Sequence, residues 1–445
     1  MITRRIAAFA ANRYALSWIL AVAFVLRVAL VLATPHFKPA GDAADYDRVA
    51  LSISRGHGYP DTNYAAAGTP ADWRTPGYPG PLAAVYAIAG RQTWTAGRLL
   101  GAVLGVVTIA LIFLLARELW DRRVALVAAA IAAVFPPLVM LNASLLSEAL
   151  FVPLSLAALL AVLLYRRRGG ALALAAAAGV LIGLAALTRS VGPVLLVPAL
   201  LGVLAFGGRA VRARLAAGAA VVHACALAIA PWAIRNARAY HEFVPLSTHG
   251  GLTAAGTYNR IAAKDGPIKG IWYPPFWVPE WRPLFLGKLD EAQIDKRLRR
   301  YARSYATGHP GYVAYVIGTN TLRLFDIGPG HSLSSRAWYG EMSVPRPARA
   351  PTSWSVWLLV AFGAAGLLIL RASRVPIRAG PVFLWVAPLA LWLSVVWVDG
   401  GVRFRAPLDP FIVLLAALVG VRLADGREAL RLPSPRRRRV AATEA

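Results

Sequence analysis

Three carboxylates, Asp42, Asp45 and Asp47, crowd into "GDAADYDRVALSISRGHGYP" at 41–60, directly after the first hydrophobic stretch of the chain. Taken as a helix over 42–55, this segment puts Tyr46, Val49, Ala50 and Ile53 on one apolar stripe. Asp42 falls on that stripe one turn ahead of Tyr46, and Asp45 falls at its edge. Asp47, Arg48 and Arg55 are expected to point away. A surface-lying helix would turn the stripe to lipid and protein and aim Asp42 at the headgroup plane. Two readings of Asp42 follow: a helix N-cap accepting a backbone N–H, or a general base where a headgroup meets water. The "DYD" spacing also resembles a metal-binding DxD, but by itself reads as a solvated helix face.

The same region continues "DWRTPGYPGPLAAVYAIAG", in which Arg74 precedes Pro76, Gly77, Tyr78 and Pro79. The prolines set a rigid turn at the start of another apolar helix. An arginine fixed there either grips a phosphate bidentately or lies along the interface with its head in water. Glu148 follows Ser147 at the start of an apolar run, where an acid is either paired and functional or a helix-terminal group. Arg189, Arg235, Arg403 and Arg405 also stand at the ends of apolar runs. Singly each reads as an interfacial arginine; together they suit an anionic ligand. Asn236, Thr248, Gly250 and Gly251 lie in one further polar stretch, where the glycines allow either a ligand's close approach or a plain turn. The aromatic cluster "IWYPPFWVPEWRP" at 271–283 reads as an interfacial belt, with stacking on a sugar as the alternative.

These groups must be positioned by a membrane scaffold. The 445 residues are 58% hydrophobic with a mean hydropathy of +0.55, too apolar for an ordinary soluble domain. Apolar runs fall at about 14–33, 97–117, 124–142, 145–165, 171–187, 191–206, 215–234, 353–371, 380–398 and 407–423. The net charge of +27 comes almost wholly from arginines clustered in alternate gaps. Arg4, Arg5 and Arg13 precede the first run; Arg117, Arg122 and Arg123 follow the second, and Arg166 to Arg168 the fourth. Arg209, Arg212 and Arg214 follow the sixth, Arg371, Arg374 and Arg378 the eighth, and "RRRR" at 436–439 the last. Ten spans with both ends cytoplasmic satisfy the positive-inside rule, and this clustering argues against nucleic acid as a partner. The start, "MITRRIAAFAANRY", reads as the cytoplasmic lead of a retained span and not as a cleaved signal.

The expected architecture is therefore an all-α integral membrane protein of about ten transmembrane helices. Two extracytoplasmic regions, about 34–96 and 235–352, carry short amphipathic helices, one of them "DEAQIDKRLRRYARSYA". An N-terminal module would run over 1–234, an extracytoplasmic region over 235–352 and a C-terminal module with a basic tail over 353–445. "GYVAYVIGTNTLRLF" at 311–325 is too short to span and is expected to dip into the membrane or lie on it. Cys225 is the one cysteine and sits in an apolar run, so it is expected to be buried. No HExxH, CxxC, phosphate-loop or dinucleotide pattern occurs, so no cofactor or protein-bound metal is argued, although a divalent cation is compatible.

Asp42-x-x-x-Tyr46 after the first run, followed by Arg74 at a proline turn, resembles the first extracytoplasmic loop of family 39 glycosyltransferases of the GT-C superfamily. Four further stretches carry the resemblance: "LLSEALFVPLSLAALL" at 145–160, "GLAALTRSVGPVLLVPALL" at 183–201, "PWAIRNARAYHEFVPLSTHGGLTAAGTYN" at 231–259 and "GGVRFRAPLDPFIVLLAA" at 400–417. That family includes protein O-mannosyltransferases and the lipid A aminoarabinose transferase, and this chain is most similar to its bacterial branch. The family pattern has Asp-Glu where this chain has Asp42-Ala43. The resemblance implies a GT-C fold in the cytoplasmic (inner) membrane, with the site facing the periplasm or exterior. It implies a hexosyl- or pentosyltransferase that moves a sugar from a polyprenyl-phosphate donor to a glycolipid, protein or polysaccharide acceptor. Asp42 is then the catalytic base, with Arg74, Arg189 and Arg405 holding the donor phosphate. Asp45, Tyr46, Tyr78, Glu148, Arg235, Asn236 and Arg403 would support the site or bind substrate. The rival class is a transporter or flippase for a lipid-linked or anionic solute, which would be expected to carry charges near mid-membrane. A polysaccharide polymerase or ligase is a third reading.

Overall fold

The computed structural model describes residues 12–62, 65–205, 209–342, 344–373 and 380–429. The arginines read from the sequence at 4, 5, 374, 378 and 436–439 lie outside these residues. Among the described residues the fold is all-α, with no strand. The helices used below are α1 (Ala15–Ala33), α2 (Asp42–Ser54), α3 (Pro79–Ile88), α4 (Trp94–Leu119), α5 (Arg122–Val134), α6 (Pro136–Asn142), α7 (Glu148–Arg167) and α8 (Leu172–Thr188). There follow α9 (Leu196–Leu204), α10 (Val211–Tyr240), α11 (Gly250–Thr257), α12 (Glu291–Gly308), α13 (Pro310–Leu324), α14 (His331–Glu341), α15 (Arg346–Ala372), α16 (Val382–Val395) and α17 (Asp409–Ala429).

Each of the ten apolar runs is a helix or a broken helix. Helices α1, α4, α7, α10 and α15 are long and apolar enough to cross a bilayer, and α5 with α6 makes a sixth candidate bent by 59°. The shorter α8 and α9 pack against them, and α16 packs against α9. The chain is thus a multi-pass membrane protein, and side chains such as Trp18, Val25, Leu227 and Leu358 form outward apolar faces suited to lipid. Cys225 is buried between α10 and α8, as expected.

The bend between α5 and α6 has a local cause. Pro136 and Pro137 lack the N–H groups that would continue the α5 ladder. The Ala133 carbonyl, which Pro137 cannot serve, instead accepts from Arg27 of α1 at 3.0 Å. Arg27 also donates to Asn142 Oδ1 at 3.1 Å and is fully buried. One turn further out, Arg98 of α4 donates to the Ala143, Val31 and Thr34 carbonyls. Two buried arginines therefore lock α1, α4 and the broken helix together by serving backbone carbonyls.

A second apolar cluster lies apart from the bundle core. Trp73, Leu252, Tyr258, Trp281, Ile294 and Leu298 form it, drawing on the segment around 73, on α11, α12 and on the aromatic stretch. Trp281 is buried there, and Trp272 packs against Gly256, so the stretch at 271–283 contributes to the core of this second cluster. The segment at 311–325 is α13; its Asn320 donates to the Val396 carbonyl and its Arg323 to those of Gly270 and Pro329.

Helix α2 matches its expected extent within one residue, but Asp47 does not point away. It is buried, and its carboxylate accepts from Tyr86 (2.6 Å), Gln92 (2.7 Å) and Trp94 (3.1 Å). Those donors tie α2 to α3 and the start of α4. Asp47→Ala strands them, and a buried donor left without an acceptor costs about 1–3 kcal/mol. We expect a thermal midpoint several degrees below wild type in detergent; an unchanged midpoint would show that this clamp does not hold α2.

Candidate functional site

The sequence brings Arg74 to its place through a tight approach. Gly77 donates to the Leu187 carbonyl at 2.7 Å, and a side chain there would collide with Leu187 and Thr188. The proline turn is thereby pressed onto the C-terminal end of α8, beside Arg189. At the other wall, Gly41 has φ +53° and lies against the Glu341 carboxylate, so any other residue would be both strained and in collision. The chain leaves that glycine directly into α2. Asp42 is the first helical residue and caps nothing, because Gly41 occupies the N-cap position.

Asp42 accepts from two guanidinium groups: Oδ1 from Arg74 and Oδ2 from Arg403. Arg74 also donates to Asp45 at 2.9 Å and lies over the Tyr46 ring. Arg403 is gripped by two further acids, Glu341 at 2.5 Å and Glu148 at 3.2 Å, and lies 4.3 Å over the Trp338 ring. Arg189 pairs with Glu148 at 2.5 Å and donates to Ser147 at 3.1 Å. Ser147 accepts in turn from the Tyr46 hydroxyl at 2.9 Å. Tyr78 packs edge-on to Tyr46 at 5.2 Å beneath this network.

The electrostatics follow from burial and these pairs. Burial alone would raise Asp42, but Arg403 and Arg74 outweigh it and hold its carboxyl well below the usual carboxylate range. Burial, reinforced by the Asp42 charge, pushes Glu341 up against the opposing pull of Arg403. Burial and Arg74 push His249 down to about 3, so it is neutral at ordinary pH. Burial lifts Asp399 to about 6.

Asp42, Arg74, His249, Asp399, Arg403 and Phe404 line a cavity of about 130 Å³, to which Tyr46 and Arg189 also contribute. It adjoins a second cavity of about 620 Å³, the two sharing Ser190 and Ser247. The second is walled by Leu246, Ala302, Val313 and Trp397, with Arg299 and Arg303 among its polar groups.

Of the residues singled out from sequence, Asp42, Asp45, Tyr46, Tyr78, Arg74, Glu148, Arg189 and Arg403 come together here. Arg405 does not. It turns the other way, to Asp409 at 2.8 Å and the Leu324 carbonyl at 2.6 Å, and joins α17 to α13. Arg235 lies over Tyr59 and Trp232, away from the cavity. Asn236 donates to Asp72 at 2.9 Å and does not line the cavity. Gly250 opens α11 and lines the second cavity, and Gly251 behind it donates to Asp295. Sequence reading missed Glu341, Trp338, His249 and Asp399. Asp399 stood one residue before a quoted motif and His249 inside another; nothing local marks Glu341. No group of three or more His, Cys, Asp or Glu side chains suited to a metal occurs among the described residues. Where Asp42, Glu148 and Glu341 converge, the Arg403 guanidinium stands between them.

Behind Trp73 lies a second acid pair. Asp72 accepts from Asn236 and Thr248, and its backbone N–H donates to Glu291 at 2.8 Å. Burial and the neighbouring Glu291 raise Asp72 to about 7. An acid whose folded pKa lies above its unfolded value adds stability at low pH, which is lost as pH rises through that value. Thermal midpoints in detergent should therefore fall between about pH 4 and pH 8, and Asp72→Asn should flatten the fall. An equal fall in both proteins would place the titration elsewhere.

Residues 74–234 match the family model of dolichyl-phosphate-mannose-protein mannosyltransferases, which covers less than half of the chain. No curated protein sequence matches the chain. Among solved structures, the oligosaccharyltransferase of Archaeoglobus fulgidus tethered with an acceptor peptide superposes with a TM-score of 0.56 at 17% identity, over 95% of this chain and 51% of that one. AglB from the same organism, in complex with an inhibitory peptide and a dolichol-phosphate, gives 0.54 at 18% identity, over 94% and 51%. ArnT from Cupriavidus metallidurans bound to undecaprenyl phosphate gives 0.43 at 14% identity, over 94% and 81%. The chain spans about half the length of the archaeal proteins. The chain has the GT-C fold of membrane glycosyltransferases, and its residues 74–234 carry the pattern of the dolichyl-phosphate-mannose-protein mannosyltransferase family.

Proposed function

We propose that the protein is an inverting glycosyltransferase that takes a sugar from a polyprenyl-phosphate carrier and passes it to an acceptor at the outer face of a bacterial inner membrane. The observation that carries this reading is the joint placement of Asp42, Arg74 and Arg403 on one small cavity at the start of the first surface helix. An acid and two phosphate-binding forks at one point are what displacement at an anomeric carbon requires. The dolichol-phosphate of the similar archaeal protein supports a lipid-phosphate donor.

In the reaction Asp42 takes the proton of an acceptor hydroxyl aligned opposite the departing phosphate. The hydroxyl oxygen bonds to the anomeric carbon as the bond to the phosphate oxygen breaks, which inverts the centre. Arg74 and Arg403 meet the charge that grows on the leaving phosphate. Arg189 steadies Glu148, and through it Arg403. Neutral His249 and the lifted Asp399 offer hydrogen bonds to sugar hydroxyls. The adjoining cavity of about 620 Å³ has room for the acceptor. The arginines at 189 and 403 stand at the ends of helical runs beside this cavity and not at mid-span, which favours transfer over transport.

Membranes containing the protein should transfer label from one of a panel of polyprenyl-phosphate sugars. Asp42→Asn should lower that transfer by at least about 10²-fold without loss of folded protein; full activity would remove Asp42 as the base. Arg74→Ala should raise the donor KM and lower kcat together, and an unchanged donor dependence would take it out of the site.

A further inference from the structure

Asp42 as it stands is a poor base. Both of its carboxylate oxygens are engaged by guanidinium groups, Oδ1 by Arg74 and Oδ2 by Arg403, and its backbone N–H is committed to Glu341 at 3.2 Å. Each oxygen keeps a second lone pair, but a carboxylate bridged by two guanidinium groups has little proton affinity left with which to take a hydroxyl proton. The arginines, by contrast, do not depend on Asp42. Arg74 keeps Asp45 at 2.9 Å. Arg403 keeps Glu341 at 2.5 Å and Glu148 at 3.2 Å, with the Trp338 face 4.3 Å away. Each can therefore turn an N–H to another anion while its remaining partners hold it in place. Both line the cavity that Asp42 lines, so an anion entering there meets the same N–H groups.

Building on the glycosyltransferase reading, we propose that the donor's phosphate switches Asp42 on: it draws Arg74 and Arg403 off the carboxylate, so that the acceptor is deprotonated only in a donor-loaded site and the substrates bind in compulsory order, donor first. The carboxylate and the phosphodiester compete for one pair of guanidinium forks. Once the phosphate wins, an Asp42 oxygen is free and its basicity is restored. The acceptor proton moves to that oxygen, the acceptor oxygen bonds to the anomeric carbon, and the electron pair of the broken bond leaves on the lipid phosphate. The phosphate now carries one more negative charge and Asp42 one fewer, so the guanidinium groups follow the product. When the lipid phosphate departs they return to Asp42 and drive its proton into water, which resets the site. Glu341 and Glu148 are positioning residues in this cycle, because they keep Arg403 in reach of both anions.

The test is binding of undecaprenyl phosphate, without sugar, to the full chain in nanodiscs. If Asp42 competes for the forks, Asp42→Asn should tighten binding about tenfold or more while abolishing transfer. Inorganic phosphate should compete for the same site, and Arg74→Ala should weaken binding in either background. In the unaltered protein, carbodiimide labelling of Asp42 should rise when undecaprenyl phosphate is added. Binding that is unchanged or weaker in Asp42→Asn, or labelling that does not rise, overturns the switch and leaves the donor class standing. Absence of binding to both proteins overturns the donor class and the switch with it.

Discussion

The site depends on one guanidinium. Arg403 is almost wholly buried and is met by Asp42, Glu148 and Glu341, with Trp338 and Phe404 against its faces. An unpaired charge at that depth would be costly, and so would any of the three acids without it. Loss of Arg403 would therefore take a partner from three acids at once, whereas loss of any one acid leaves the arginine two others. Arg74 and Arg189 extend it outward to Asp45 and Ser147, so a network and not a single pair fixes the geometry around the cavity. Such an arrangement adds little net stability over apolar packing, but it permits few alternative poses, and a defined pose is what the chemistry uses.

The rest of the fold supports this point from two sides. Beneath it, Arg27 and Arg98 occupy the carbonyls around the break between α5 and α6, which sets where α7 begins and hence where Ser147 and Glu148 face. Above it, the cluster around Trp73 and Trp281 binds the segment that carries Arg74 to the outer helices. The aromatic stretch at 271–283 thus contributes packing that keeps the arginine segment in register.

Much of this was legible in the sequence. The apolar runs, the helix at 42–54 and the stripe carrying Tyr46 follow from periodicity, which local structure obeys. Asp42 and Arg74 were legible because a carboxylate after a membrane run and an arginine at a proline turn are unusual in their own neighbourhoods. What failed was partner choice. Arg403 and Arg405 read alike, two residues apart at the end of a run, yet one enters the cavity and the other joins α17 to α13. A short 3-10 turn over Val402–Arg405 decides which way each points, and no period signals it. Asp47 was misplaced for a related reason: a helix projection shows which face a residue occupies, and here the polar face is itself covered by Tyr86, Gln92 and Trp94. Glu341 lies in a segment without a motif, and only the contact with Gly41 gives it meaning.

The order of these pieces along the chain bears on biosynthesis. Asp42 is made well before one of its two partners, Arg403, which is 361 residues away, just ahead of α17. Glu148 meets the same late partner. Until Arg403 is made, Asp42 has Arg74 and Glu148 has Arg189, so an incomplete chain holds both acids with one of their two arginines. The enclosure of both acids is thus completed only when the segment that carries residue 403 folds back onto the first half of the chain.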